Sequence, residues 1–269
     1  VRRAAWRGAN NRMVNNKRYR WRIVIGQIAL LLACLGIIEY LVRAGIVGSL
    51  YLSKPTQVVE EIYKLFSNGE IFHHLIVTLK EFSAGYLLSA FAGIATGMFL
   101  VLVPHAETFF RPFLSALLAV PKVTIIPLLM LWLGIGLSHK VAIVFLFCFF
   151  TIAFNTITGI KQTAEAHLKV ARVFEASKLQ TIIKVILPSA APTIFVSLRV
   201  SAATGLVGAL FGEMVASKDG LGNLLVQATS LYDTAKAFAI ITVVTVVSVL
   251  IIAAIDLLEK RVVLRWKSA

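Results

Sequence analysis

Apolar residues along this chain fall in blocks of about twenty, the length an α-helix needs to cross a hydrocarbon core of about 30 Å. The blocks cover residues 23–42, 82–103, 109–133, 141–160, 192–215 and 237–258 and predict six membrane spans. Between the first two, Val58, Val59, Ile62, Leu65 and Phe66 share one face of a predicted helix, Pro55–Phe66. Pro55 suits its first turn and Asn68-Gly69 its end. It is too short to span, so it is expected at the outer interface. Span two takes a helical lead-in from Ile71 and ends at Pro104; its Gly93 and Gly97 form a small-xxx-small pair that lets helix backbones approach. Gly134-Ile135-Gly136 predicts a tight outer turn, and 217–234 reads as a loop with a turn signal at Lys218-Asp219-Gly220.

Span three differs from the others because Pro112, Pro121 and Pro127 lie along it. Each proline frees a carbonyl and bends the helix. Broken helices at membrane depth are tolerated where they line a cavity or a water path. The span is therefore either merely kinked or part of a pathway, with Pro121, Lys122 and Pro127 as pathway candidates. Lys122 beside the break could attract an anion. Glu213, near the outer end of span five, is a further pathway candidate, as a gate or structural pair rather than an anion ligand. Arg199, near the inner end of span five, reads as a snorkelling group or a partner of the polar loop that precedes it.

That loop, 161–190, is the one long polar interruption. Leu179, Ile182, Ile183 and Ile186 follow a helical spacing, Val170, Val173 and Phe174 make a shorter apolar face, and Leu187-Pro188 is expected to end the helix. The pattern predicts two short amphipathic helices at a membrane face. By periodicity alone, this is either an ordinary interfacial loop or a docking element.

Composition agrees with a polytopic membrane protein: 58% of residues are hydrophobic and 15% charged, against about 25% charged in soluble domains. The net charge of +14 does not point to nucleic acid, because no basic-aromatic interleaving that would stack bases is present. It marks an orientation instead. Eight Lys/Arg lie in residues 1–22, one at Arg111, five in the polar loop and four after residue 259, against six in the alternate loops. By the positive-inside rule both termini and the polar loop are expected in the cytoplasm, and the basic tail is expected to touch anionic membrane lipid.

Catalytic and metal chemistry find little support. Cys34 and Cys148 sit inside apolar runs without ligand spacing, the five histidines do not cluster, and no Ser/His/Asp order has supporting loop chemistry. Leu31-Leu32-Ala33-Cys34 faintly matches a lipoprotein cleavage box, but the apolar run continues past it, so span one is expected to remain uncleaved. The chain contains no G-x-x-x-x-G-K-[ST] loop to cradle a nucleotide phosphate.

The polar loop resembles the EAA loop of ABC-importer permeases, whose pattern is Glu-Ala-Ala, three residues, Gly, nine residues, Ile, one residue, Leu-Pro. Val185-Ile186-Leu187-Pro188 fits its second half, Ala171 survives from the first, and Glu175 stands in the place of the glycine. Ala171-Arg172 through Ala176-Ser177 is similar to the version in the nitrate/sulfonate/taurine/bicarbonate branch. So are Gly69-Glu70, Pro127-Leu128, Trp132 through Gly136, Asn155 with Gly159, Leu198-Arg199, Gly212-Glu213 and Gly220-Leu221-Gly222. Their order and spacing together carry the resemblance, which covers nearly the whole chain after the tail.

The resemblance implies an all-α, six-helix type I ABC-importer permease of the bacterial inner membrane, with residues 23–262 as its membrane domain, 1–22 as a cytoplasmic tail and 263–269 as a cytoplasmic C-terminus. It implies ATP-binding ABC subunits as partners, which would carry ATP and Mg, none being bound by this chain. A periplasmic or lipid-anchored substrate-binding protein and a second permease copy complete the set, and the cargo would be a small anion or small organic nutrient. Val170, Ala171, Arg172, Val173, Phe174, Glu175, Ala176, Ser177, Leu187 and Pro188 would form the ATPase-coupling surface. Glycine permits a sharp turn that glutamate adopts only at a cost. Glu175 therefore predicts a more helical turn, altered docking or weakened coupling. The rival class is a stand-alone secondary transporter, which would need internal repeats and mid-span acids; neither stands out in the sequence. A membrane-embedded enzyme would need clustered polar catalytic groups, and the sequence offers none.

Overall fold

The structure, a computed structural model, describes residues 17–267, with side-chain surroundings for residues 21–261. Most of the basic tail lies outside the described residues, and its last part, from Lys17, is already helix. The helices are α1 (Lys17–Arg43), α2 (Pro55–Ser67), α3 (Glu70–Leu102), α4 (Ala106–Ala119), α5 (Ile126–Leu133), α6 (Leu137–Lys161), α7 (Glu165–Val173), α8 (Lys178–Thr181), α9 (Leu187–Ala216), α10 (Leu221–Ser230) and α11 (Thr234–Lys267). Five helical stretches are long and apolar enough to cross a membrane, and the pair α4–α5, bent by 83°, makes a sixth span if counted as one.

The centre of the bundle is α3 against α6, with α9 and α11 alongside. In lipid the hydrophobic effect does not draw helices together, so close packing must. Small residues supply it. A Cβ added at Gly97 would lie 2.6 Å from the Thr156 Cβ, and one at Gly93 would lie 2.9 Å from the Ile152 Cβ. Around this seam Phe82, Val144, Cys148, Ile152, Ala202, Leu206 and Ile255 form one buried cluster. α1 stands apart from the bundle, with none of its apolar window buried. It is tied in at its end, where Glu39 accepts bonds from the Thr56 amide (3.2 Å) and hydroxyl (2.9 Å) at the start of α2.

Two sequence expectations are corrected. The loop 217–234 contains a helix, α10, whose Leu221, Leu224 and Ala228 pack with Leu65 of α2 and Ala237, Ile240 and Val243 of α11; its ten residues are too few to register against the longer spans. The expected break at Leu187-Pro188 does not occur either. Residues 178–216 form one continuous helical stretch of 39 residues. Proline lacks the N–H of a regular i→i−4 bond. Ile182–Ile186 widens to a π-helical stretch, and the Leu187 amide donates to the Ile182 carbonyl, so the helix continues through Pro188 without ending.

Candidate functional site

The polar loop folds as α7, a sharp turn, and α8 running into α9. α7 carries Glu165 in its first turn, favourable against the helix dipole, and Arg172 in its last. Its end is a Schellman motif: the Ala176 amide donates to the Ala171 carbonyl (3.0 Å) and the Glu175 amide to the Arg172 carbonyl (3.0 Å). Glu175 occupies the left-handed position of that motif, with φ +51°. The turn is therefore not more helical than a glycine turn; glutamate adopts the glycine conformation, at a strain of about 1–2 kcal/mol. α8 then starts on a capping box, with the Gln180 amide donating to Ser177 Oγ (3.2 Å) and the Ser177 amide to Gln180 Oε1 (2.9 Å).

This geometry sorts the predicted coupling residues. Val170, Ala171, Phe174, Ala176 and Pro188 meet on one groove of about 640 Å³, closed from the other side by Gln180 and Lys184. Val173 and Phe174 are 81% and 80% exposed. Arg172, Val173, Glu175, Ser177 and Leu187 do not line the groove; Ser177 caps α8, and Leu187 opens α9. Two large apolar side chains exposed at the tip of a polar loop are a surface without a partner among the described residues. Replacing Glu175 by Gly relieves the strain but loosens the unfolded loop by about 0.5–1 kcal/mol. The variant is expected to keep its thermal stability within about 1 kcal/mol of the parent in a melting experiment, with transport unchanged or raised. Loss of assembly would show that the Glu175 side chain makes a required contact.

The pathway candidates divide. Pro121, Lys122 and Pro127 sit together at the break between α4 and α5, where Lys122–Ile125 forms a short 3-10 turn. Lys122 is half-buried, and Pro121 and Pro127 are exposed. Glu213 does not join them. It is fully enclosed: Thr78 Oγ1 donates to its Oε1 (2.6 Å) and the Gly222 amide to its Oε2 (2.7 Å), while the Leu221 amide donates to Thr78 Oγ1 (2.9 Å). The carboxylate thus fastens the start of α10 to α3 and α9. Gly220, at φ +106°, passes so close that any Cβ there would fall on the Glu213 carboxyl. Arg199 pairs with Asp256 (2.6 Å) and Glu259 (2.8 Å) of α11, and not with the polar loop.

The sequence reading missed one buried pair. Lys140, counted there as an outer-loop charge, is 5% exposed, and its Nζ meets Glu81 Oε1 at 2.6 Å and Ser217 Oγ at 2.6 Å. Glu81 is itself 4% exposed on α3. The available signal was one acid and one base, each immediately before an apolar block, 82–103 and 141–160.

Comparison with known proteins bears on this arrangement. Residues 85–264 match the family described as binding-protein-dependent transport system inner membrane component. The chain is 32% identical over 253 residues to SsuC of Bacillus subtilis, assigned to transport of aliphatic sulfonates, with 94% of this chain and 90% of that protein covered. It is 30% identical over 227 residues to ThiX of Halalkalibacterium halodurans, a formylaminopyrimidine transport permease, with 84% and 90% covered. Among solved structures, the inward-facing MetNI methionine ABC transporter superposes with a TM-score of 0.57 at 18% identity, covering 72% of this chain and 96% of that one. That last likeness speaks for the fold.

Proposed function

The chain belongs to the binding-protein-dependent transport system inner membrane components, and from that premise we propose that two copies of it enclose the translocation pathway of an ATP-driven importer. As an ABC-importer permease it is a multi-pass inner membrane protein whose ATPase is a separate subunit. Residues 23–262 serve as its membrane domain, residues 161–190 are the coupling loop, and both termini lie in the cytoplasm with that loop. The observation that carries the reading is the exposed Val170, Val173 and Phe174 on the α7 turn. Apolar side chains presented this way are buried when a partner receives them, and the partner's cleft is where ATP-driven closure would grip the membrane helices.

The break at Pro121–Ile125 supports the second copy. Irregular backbone at membrane depth cannot face lipid without unsatisfied polar groups, so it faces protein or water. In the single chain Pro121, Val123 and Thr124 are exposed. A second chain brought against this face encloses the break and makes it the wall of a water-accessible path, with Lys122 half-buried beside it. The cargo is a small anion or small organic nutrient handed over by a substrate-binding protein. SsuC and ThiX, similar to this chain to nearly the same degree, are named for a sulfonate and a pyrimidine, which supports a selectivity residing largely in the binding protein. The experiment is uptake by vesicles holding the permease with its ATP-binding subunits and binding protein, with ATP supplied or withheld. Uptake is expected with ATP alone; equal uptake without it would overturn the reading.

A further inference from the structure

We propose that the Lys161–Glu107 ion pair is the link that carries movement of the coupling loop to the inner half of the broken span. Lys161 is the last residue of α6, with three residues between it and the start of α7. Its Nζ reaches Glu107 Oε1, on the first turn of α4, at 2.7 Å. The carboxylate is only 14% exposed and also accepts from Arg111 at 3.0 Å. The pair thus joins the element that leads directly into the docking loop to the element that leads directly into the 83° bend.

The two halves of the broken span are held differently. α5 is anchored, with Ile126 and Leu129 buried against Ile143 of α6. α4 is lightly held: Ala106 and Leu114 pack on Leu100, Phe154 and Ile157, while Phe109, Phe113 and Leu117 are each more than half exposed. Between the start of α4 and the end of α6 lies a cavity of about 450 Å³ lined by Glu107, Thr108, Arg111, Pro112, Ser115 and Lys161. Beside the few apolar contacts of Ala106 and Leu114, the ion pair is the charged tie between the two helices there. α4 can therefore pivot at the Pro121 break against the fixed α5, and the pair makes it follow α6 and α7. Arg111 shares the same carboxylate but belongs to α4 itself, so it steadies Glu107 without crossing between helices.

This inference rests on the importer reading. It is tested in vesicles holding the permease with its ATP-binding subunits and binding protein, by measuring ATP hydrolysed per substrate imported. Lys161→Met and Glu107→Gln are each expected to raise that ratio roughly 2- to 30-fold, the range of coupling changes of about 0.5–2 kcal/mol. Lys161→Arg and Arg111→Met are expected to leave it near the parent value. An unchanged ratio in Lys161→Met, or an equal rise in Arg111→Met, would overturn the link. Failure of both Lys161→Met and Glu107→Gln to assemble would assign the pair to folding and overturn it as well. Parent vesicles that import without ATP would instead bring down the importer reading itself.

Discussion

Replacing Phe174 by Asp is expected to abolish ATP-driven uptake while leaving the membrane helices folded. Phe174 is 80% exposed at the end of α7, so the bundle loses almost nothing when it changes. The docked state loses a great deal. Burying a phenylalanine side chain stabilises by about 1.5–3 kcal/mol, and a carboxylate in the same pocket adds an unpaired charge whose desolvation costs several kcal/mol more unless it stays out. Each step of about 1.4 kcal/mol is tenfold in binding, so a hundredfold loss of coupled uptake, to about the limit of most assays, is the expected scale. ATP hydrolysis by the partner subunits should persist without driving import. Normal coupling in this variant would place the docking face elsewhere on the loop.

The second large effect concerns the end of the bundle away from the polar loop. Lys140→Met is expected to destabilise the protein by about 3–5 kcal/mol, because it strands the Glu81 carboxylate in a site where each partner is under a tenth exposed. In a thermal melt of the detergent-solubilised protein this is a fall of roughly 10 °C. Glu81 Oε2 has no hydrogen-bond partner among the described residues, and Oε1 is held by Lys140. Replacing both residues by apolar side chains of similar size should recover most of the loss, since removing a whole buried pair is often neutral. A melt unchanged in Lys140→Met would mean that the pair contributes nothing to the folded state.

The sequence was most legible where one physical requirement dominates. Crossing lipid demands an apolar block, so the positions of α1, α3, α6, α9 and α11 could be read from the blocks, and the prolines announced the broken span. α2 was visible from Pro55, its apolar face and Gly69. The limits came where two requirements compete. Pro188 signals a helix end locally, yet the π-helical stretch before it removes the need for one. Glu175 argues against a left-handed turn by intrinsic preference, yet the two Schellman bonds hold it there. α10 was hidden because a short helix packed on other helices needs no spanning block. Partners distant in sequence were the least legible of all: Glu81 with Lys140, and Thr78 with Glu213, are 59 and 135 residues apart. The candidate coupling surface was readable as a set, but which members share the groove depends on the turn at Glu175.

A permease of this family works with an ATPase carried by a separate subunit, and uptake through this chain is expected to depend on that drive. The most direct measurement compares uptake by vesicles holding the permease alone with uptake by vesicles holding it with its ATP-binding subunits and binding protein, each with ATP and with an imposed ion gradient. Uptake is expected only in the complete complex and only with ATP. Gradient-driven uptake by the permease alone would contradict it and identify a secondary transporter.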